Sequence, residues 1–113
     1  MIITKEFTFD SAHKLQGYAG KCANLHGHTY KLQVSVQGKL NKQGMIIDFL
    51  ELKKIVHEQV LSVLDHNYLN DIIENPTAEN ITIWIWEKLK TCTPLCELKL
   101  WETPSSFTTY RGD

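Results

Sequence analysis

Alternating apolar and polar positions predict two β-strands near the start of the chain. In residues 2–9, Ile3 and the two phenylalanines fall on one side and polar side chains on the other. A clearer alternation follows in residues 28–40, where every second side chain, beginning with His28, shares one face. Such patterns are typical of strands with one buried face. If the two strands form a hairpin, the loop between them brings their ends together.

The pattern then changes to the period of an α-helix. Residues 48–64 predict a first helix, and Asp48 with Glu51 three positions later resembles a capping box. Its apolar stripe comprises Phe49, Leu52, Ile55, Val56, Val60, Val63 and Leu64. A second helix is predicted in residues 76–89 with Thr77 as the N-cap, although its β-branched run ITIWIW would also suit a strand. Its inner face comprises Ile81, Trp84, Ile85 and Leu89.

The last part of the chain predicts a β-hairpin. Residues 95–102 and 107–111 are interpreted as strands, joined by a turn in the sequence TPSS. The order strand, strand, helix, helix, strand, strand predicts an α+β fold, a four-stranded antiparallel sheet with two helices on one face. We expect one domain over residues 1–113. The two edges of such a sheet need protection or a partner, so we expect copies to assemble through them.

Composition narrows the classes of function. The chain has 113 residues and a net charge of −1, from 12 Lys and Arg against 13 Asp and Glu. Because the charges are interspersed, no nucleic-acid-binding or membrane-binding surface is expected. A chain of this length buries a modest core, which favours a site formed between copies over a deep pocket within one copy.

The cysteines and the N-terminus predict a cytoplasmic protein with free thiols. Cys22, Cys92 and Cys96 are an odd number in no familiar disulfide spacing. The first residues contain no cleavable apolar segment, and no apolar run approaches membrane-spanning length. We interpret Cys92 and Cys96 as unpaired structural thiols rather than a metal or redox pair.

The stretch CANLHGHTY, residues 22–30, holds three zinc-ligand side chains. On a strand, the spacing of His26 and His28 places both imidazoles on one face, whereas on a helix they would point about 200° apart. Zinc needs at least three protein ligands, and His13, just past the first strand, is the natural third. Three imidazoles with an open fourth position are typical of catalytic zinc. Spacing alone also permits Cys22 as a fourth ligand, and such histidine pairs also occur as ordinary polar surface.

Other candidate residues follow the first helix and end the third strand. The sequence LDHN places Asp65 beside His66, where a carboxylate could orient a histidine, although adjacent residues rarely meet in a simple geometry. The structural interpretation is a helix C-terminus with Asn67 at its cap. Glu102 ends an apolar row, where a carboxylate needs a partner. His57, at the margin of the first helical stripe, is expected to be solvated.

Six motifs occur in order along the chain: FDSAHKL, CANLHGH, GMIIDF, LDHNYLN, NPTAENI and WETPSSFTTY. Together they resemble the family of 6-pyruvoyl-tetrahydropterin synthases, and most closely its bacterial branch, the 6-carboxy-5,6,7,8-tetrahydropterin synthases of queuosine biosynthesis. The resemblance spans nearly the whole chain. The spacing Cys-x3-His-Gly-His matches the carboxy-forming branch. Animal enzymes of the family carry a longer insert, and a folate-linked branch has glutamate in place of the cysteine.

This resemblance implies the tunnelling fold, of order ββααββ, and a hexamer of two stacked trimers with active sites between subunits. It also implies a Zn²⁺ ion held by the histidines His13, His26 and His28. The family cysteine at Cys22 acts as a base rather than as a metal ligand. Such a thiol must lose its proton near neutral pH, which nearby cations or the metal would favour.

The same resemblance implies roles for the remaining candidates. Asp65 and His66 would complete a Cys–His–Asp relay from a neighbouring subunit. Glu102 would anchor the substrate, because the 2-amino-4-oxo edge of a pterin offers two parallel N–H donors to a carboxylate. Thr77 and Glu79 match family positions near the pterin, but both also suit simple helix capping.

These expectations predict a zinc-dependent lyase that converts 7,8-dihydroneopterin triphosphate to 6-carboxy-5,6,7,8-tetrahydropterin, acetaldehyde and triphosphate. One alternative is the pyruvoyl-forming synthase, which eliminates triphosphate without carbon–carbon cleavage. Another is a non-catalytic zinc- or pterin-binding module, and a structural zinc domain would place Cys22 on the metal. The candidates for holding the triphosphate are Lys14, Lys21, Lys31 and Arg111.

Overall fold

A computed structural model describes residues 1–15, 17 and 24–113, and five strands form one sheet. They are β1 (Ile2–His13), β2 (His26–Gln37), β3 (Asn67–Tyr68), β4 (Leu95–Thr103) and β5 (Ser106–Tyr110). Their order across the sheet is β3, β1, β2, β4, β5. Neighbouring strands are antiparallel except for β3, which runs parallel to β1.

The prediction of a four-stranded, wholly antiparallel sheet is therefore wrong in one respect. The additional strand, β3, has only two residues and pairs with Ser11 and Ala12 of β1. A two-residue strand shows no alternation of apolar and polar positions, so it leaves no periodic signal in the sequence. The predicted α+β class and the four longer strands agree with the structure.

The first helical segment is continuous but changes its winding. It consists of α1 (Phe49–Val56), a π-helical turn (His57–Leu61) and α2 (Ser62–Leu64). A short 3₁₀ turn (Leu69–Asp71) leads towards α3 (Ala78–Leu89). Both predicted N-caps are present: Asp48 accepts a hydrogen bond from the Leu50 N–H at 2.8 Å, and Thr77 accepts one from the Asn80 N–H at 3.1 Å.

The core lies between the helices and one face of the sheet. Alternate residues of β2, from Tyr30 to Val36, are fully buried, as are Leu52, Val56, Val60, Leu64, Ile81, Ile85 and Leu89 of the helices. Each such aliphatic side chain stabilises the fold by about 1.5–3 kcal/mol. A slip of one residue would expose the whole buried row, so this burial fixes the register of β2 and the side on which His28 lies.

Phe49 does not belong to the core, contrary to the predicted stripe. It is the first helical residue and is 49% exposed. It lines a surface hollow with Met1 and Leu40, beyond the end of the buried row. In the part of the chain that the structure describes, no helix is long and apolar enough to cross a membrane.

Candidate metal centre and active site

The three predicted metal ligands lie together where β1 and β2 meet. The antiparallel register places His13 opposite His26, and His28 opposite Ser11. The Nε2 atoms of His13 and His26 are 3.0 Å apart, and one ring nitrogen of each of the three imidazoles lies within 4.8 Å of the others. His13 is fully buried, and the other two imidazoles are partly buried. Strand alternation therefore produces the cluster that the sequence predicted.

The hydrogen bonds behind two of these rings fix their tautomers. The Nδ1 atom of His13 lies 2.7 Å from the carbonyl oxygen of Pro76, and that of His26 lies 2.7 Å from the carbonyl oxygen of Asn24. A carbonyl only accepts, so each Nδ1 donates a proton, which leaves Nε2 as the nitrogen available to a metal ion. The two Nε2 atoms face one another at 3.0 Å, close enough to bind one cation between them. This arrangement fits a divalent metal ion.

His28 offers a third nitrogen in the same place. Its Nε2 atom is buried and has no hydrogen-bond partner among the described residues. Burial lowers the pKa of His28; the Glu102 carboxylate opposes this effect, and His13 and His26 add to it. The ring is therefore neutral near pH 7, and its 3.4 Å contact with Glu102 Oε1 is not an ion pair. A neutral, unsatisfied imidazole beside two others is suited to metal ligation.

Tyr30 packs against the rings of His13 and His28. Its hydroxyl oxygen lies 3.4 Å from His13 Nδ1, and its ring stacks on Phe9 with centroids 5.0 Å apart. Burial raises the pKa of Tyr30, and the Glu102 carboxylate raises it further, so the phenol stays neutral. The sequence pattern assigned Tyr30 only to the core, although its position two residues after His28 places it beside that histidine on the same strand face.

Asp65 and His66 touch each other, although they are adjacent in sequence. His66 has φ of +60°, in the left-handed region, and its Nδ1 lies 3.0 Å from Asp65 Oδ1. The backbone of Asp10 holds both residues: its N–H donates to Asp65 Oδ1 at 3.0 Å, and its carbonyl accepts from the His66 N–H at 2.6 Å. The hydrogen bond from the Asp10 N–H is also the main reason why the pKa of Asp65 is lowered.

The preceding helix ends at Leu64, as predicted, but its cap residue differs from the expected one. Its C-cap is Asp65, which has an extended backbone, whereas Asn67 was expected at the cap. The Asn67 side chain still caps the helix, because its Nδ2 donates to the carbonyl of Val63 at 2.7 Å. The left-handed residue His66 thus reverses the chain direction between the helix and β3.

Two cavities meet beside His28. One, of about 550 Å³, is lined by Asp10, Gly27, Thr29 and the His66 side chain, which is 78% exposed. The other, of about 520 Å³, includes Glu102 in its wall. His28 and Gly27 line both cavities, so His66 and Glu102 each lie in a cavity that reaches the histidine cluster.

The remaining candidates are placed less centrally. Thr77 follows Pro76, the residue that braces His13, and Glu79 is exposed in the first turn of α3. Cys22 and Lys21 lie outside the described residues. His57 is exposed, as expected, with its ring against Phe7. The thiols of Cys92 and Cys96 are free, in agreement with their interpretation as unpaired.

Comparisons with known proteins identify the family to which this chain is similar. The sequence profile of the family described as 6-pyruvoyl tetrahydropterin synthase matches residues 2–113. A 6-carboxy-5,6,7,8-tetrahydropterin synthase of Haemophilus influenzae is 41% identical, over 96% of this chain and 97% of that protein. A dihydroneopterin monophosphate aldolase of Pyrococcus furiosus is 44% identical, over 84% and 83%.

A solved structure of similar fold is that of the Caenorhabditis elegans 6-pyruvoyl tetrahydropterin synthase. It has a TM-score of 0.89 and 30% sequence identity, and the match covers 100% of this chain and 96% of that one. The likeness confirms the α+β fold and agrees with the tunnelling fold. Together the comparisons confirm the resemblance that the six sequence motifs indicated.

Proposed function

The chain belongs to the 6-pyruvoyl tetrahydropterin synthase family, and we propose that it is a zinc-dependent lyase acting on 7,8-dihydroneopterin triphosphate. Its products would be 6-carboxy-5,6,7,8-tetrahydropterin, acetaldehyde and triphosphate, with uptake of water, as a step in queuosine biosynthesis. The observation that carries the proposal is the convergence of three imidazoles beside Glu102. The name and the 41% identity of the Haemophilus influenzae relative support the choice of product.

Zinc would be held by His13, His26 and His28. The Nδ1 hydrogen bonds to backbone carbonyls orient the first two rings with Nε2 towards the site, which favours metal affinity. When bound, zinc would polarise substrate oxygens and acidify the neighbouring C–H and O–H bonds. Three imidazoles also suit other divalent ions, so the native metal is a prediction that metal analysis must test.

Glu102 would anchor the pterin. Its carboxylate can accept two parallel N–H bonds from the 2-amino-4-oxo edge, and charge-assisted pairs of this kind fix orientation as well as affinity. Since Glu102 Oε1 lies 3.4 Å from His28 Nε2, an anchored pterin would have its side chain close to the metal ligands. Thr77 and Glu79 are further candidates for contact with the pterin.

Proton transfer would be shared between Cys22 and the Asp65–His66 pair. On the basis of the resemblance, we assign Cys22 to removing a proton from the substrate side chain, a role that requires its thiol to ionise near neutral pH. His66 would exchange a proton with the same side chain, and Asp65, 3.0 Å from its Nδ1, would orient the ring. The exposure of His66 supports a contribution to the site of a neighbouring copy.

The pattern of sheet edges supports assembly into a homo-oligomer. Among the described residues, the outer edge of β1 is paired only at Ser11 and Ala12, and β5 forms the other edge of the sheet. Unpaired edges of this length are usually covered by another chain. We therefore propose edge-to-edge trimers that stack into a hexamer, in a cytoplasmic enzyme.

Two related activities compete with this proposal. The Caenorhabditis elegans structure is of a protein named for pyruvoyl formation, and the Pyrococcus furiosus relative is named an aldolase of a monophosphate. A non-catalytic zinc- or pterin-binding module is the alternative from a different class. The presence of Cys22, His66 and Glu102 together argues against such a module.

Product analysis tests the proposal directly. The purified protein is incubated with dihydroneopterin triphosphate, with and without a chelator, and the products are identified by mass spectrometry and acetaldehyde assay. We expect chelator-sensitive formation of acetaldehyde and the carboxy product, abolished in Cys22→Ala. Formation of a pyruvoyl product without acetaldehyde would overturn the proposal in favour of the synthase. Turnover of the monophosphate alone would favour the aldolase.

A further inference from the structure

Two lysines and two aromatic rings form a row on the sheet face opposite the core. Lys31 Nζ lies 4.1 Å from the centroid of the Trp101 ring. That ring stacks on Phe107 with centroids 4.7 Å apart, and Lys99 Nζ lies 5.6 Å from the Phe107 centroid. A contact of this kind holds the ammonium group itself over the ring face, and the N–H donors that point away from the ring can still bind an anion.

Only one of these lysines lines the cavity that contains Glu102. The paired part of β2 and β4 ends at Lys31 and Trp101, and both strands continue beyond it. These strand ends, which do not pair with each other, line the cavity of about 520 Å³, with Glu102 and His28 in its wall. Among the described residues of that wall, Lys31 is the sole lysine or arginine.

The other basic candidates are less well placed. Arg111 Nε donates to Glu97 at 2.9 Å, and both residues line a different cavity. Lys14 is not among the residues that line the Glu102 cavity, and its backbone is tied to the side chain of Asn70. Lys21 lies outside the described residues.

We propose that Lys31 forms a polyphosphate subsite and binds the phosphate tail of the substrate whose pterin ring Glu102 anchors. The inference rests on the proposed function for its substrate class, an organic phosphate ester. The ammonium group is available, because its 3.9 Å contact with Glu6 Oε2 joins two well-exposed side chains and is weak. The polyphosphate has several negative charges, so Lys31 would favour a triphosphate over a monophosphate or a free alcohol.

Binding of two fluorescent pterins to the zinc-loaded protein tests this subsite without catalysis. Dissociation constants are measured for neopterin triphosphate and for neopterin, in the wild type, in Lys31→Gln and in the matched control Lys99→Gln. We expect Lys31→Gln to weaken binding of the triphosphate about 10-fold, the loss typical of a charged hydrogen bond, while binding of neopterin is unchanged. Lys99→Gln should change neither value more than twofold, since Lys99 does not line the cavity.

Equal affinity for the triphosphate in Lys31→Gln and the wild type would overturn the inference. Equal losses of triphosphate affinity in Lys31→Gln and Lys99→Gln would also overturn it, because they would indicate a diffuse basic face. Thermal unfolding and zinc content, measured for each variant, separate these outcomes from misfolding. If neither pterin binds the wild type, the proposed function is wrong. Inorganic triphosphate then tests Lys31 by the same comparison of three proteins.

Discussion

The metal-binding potential of His13 and His26 depends on the carbonyl groups behind them. Pro76 immediately precedes the N-cap of α3, and its carbonyl fixes the proton on His13 Nδ1. Asn24 does the same for His26 from the loop before β2. Each ring is held with its other nitrogen towards the neighbouring imidazole, which reduces the ordering that metal binding would otherwise require.

Removal of one imidazole should release the metal. We expect His26→Ala to reduce bound zinc from about one ion per chain to near zero after dialysis, because two ligands rarely hold zinc. Mass spectrometry of the acid-digested protein measures the metal. The control is His57→Ala, which removes an exposed histidine outside the cluster. Full zinc content in His26→Ala would exclude the proposed ligand set.

Glu102 should affect substrate binding without affecting the metal. Glu102→Gln preserves the shape but replaces one acceptor oxygen by a donor, which would face an N–H of the pterin. We expect kcat/KM to fall about 100-fold, the loss of a charged, bidentate contact, with zinc content unchanged. Steady-state kinetics and metal analysis of the same preparation provide both values. A parallel loss of zinc would instead indicate that Glu102 supports the metal ligands.

Some site residues could be predicted from the sequence and others could not. The spacing of His26 and His28 requires only a strand, so alternation placed both correctly. The contact between Asp65 and His66 depends on a left-handed backbone at a residue other than glycine. No spacing rule indicates such a conformation. The carbonyl of Pro76 likewise reaches His13 only through the tertiary fold, 63 residues away.

Among the elements, α3 connects helix capping to the metal centre. Thr77 accepts from the Asn80 N–H, and the residue before it braces His13. We expect Thr77→Ala to lower the free energy of unfolding by about 1 kcal/mol, whereas Thr77→Ser, which keeps the hydroxyl, should lower it much less. Urea denaturation measures both. A large rise in KM with no change in stability would assign Thr77 to substrate contact rather than to capping.

Substitution of His66, where the chain reverses direction, should separate effects on stability from effects on activity. Glycine adopts a φ of +60° without steric cost, but it also gains entropy in the unfolded chain. These effects of about 1 kcal/mol each oppose one another, so His66→Gly should unfold at or slightly above the wild-type temperature. Its turnover should fall about 100-fold, as expected for the loss of an acid–base group. Calorimetry measures unfolding and a product assay measures turnover in the same preparation. Activity that persists in His66→Gly would contradict the proposed relay of Asp65 and His66.

The elements that carry a periodic signal over many residues were predicted well. Burial of every second side chain in β2 and the N-caps of both helices follow from local sequence. The sheet was predicted with one strand too few, because β3 exists only through two residues paired with β1. Phe49 was misassigned because the helical period continues past the end of the core.

At the level of the whole molecule, the sheet edges and the exposure of His66 both favour the proposed assembly of copies. Family membership confirms that the chain is an enzyme; among the described residues, one copy leaves the His66 side chain 78% exposed and most of the outer edge of β1 unpaired. The small core predicted from chain length also favours a site formed between copies. The hexamer itself follows from the resemblance and not from alternation, charge or spacing. Light scattering that shows a monomer at micromolar concentration would contradict edge-to-edge assembly.

Mixing two inactive variants tests whether the active site is shared between copies. Cys22→Ala and His66→Ala should each be nearly inactive alone, with no more than about 1% of the wild-type turnover. If the site is shared, each site in a randomly mixed ring takes Cys22 from one copy and His66 from its neighbour. A site is complete only where the first copy is the His66 variant and the second copy is the Cys22 variant, which holds for about a quarter of the sites. We therefore expect co-expressed variants to recover roughly a quarter of the wild-type turnover per site. If both residues act within one copy, every mixed site lacks one of them, and no activity returns.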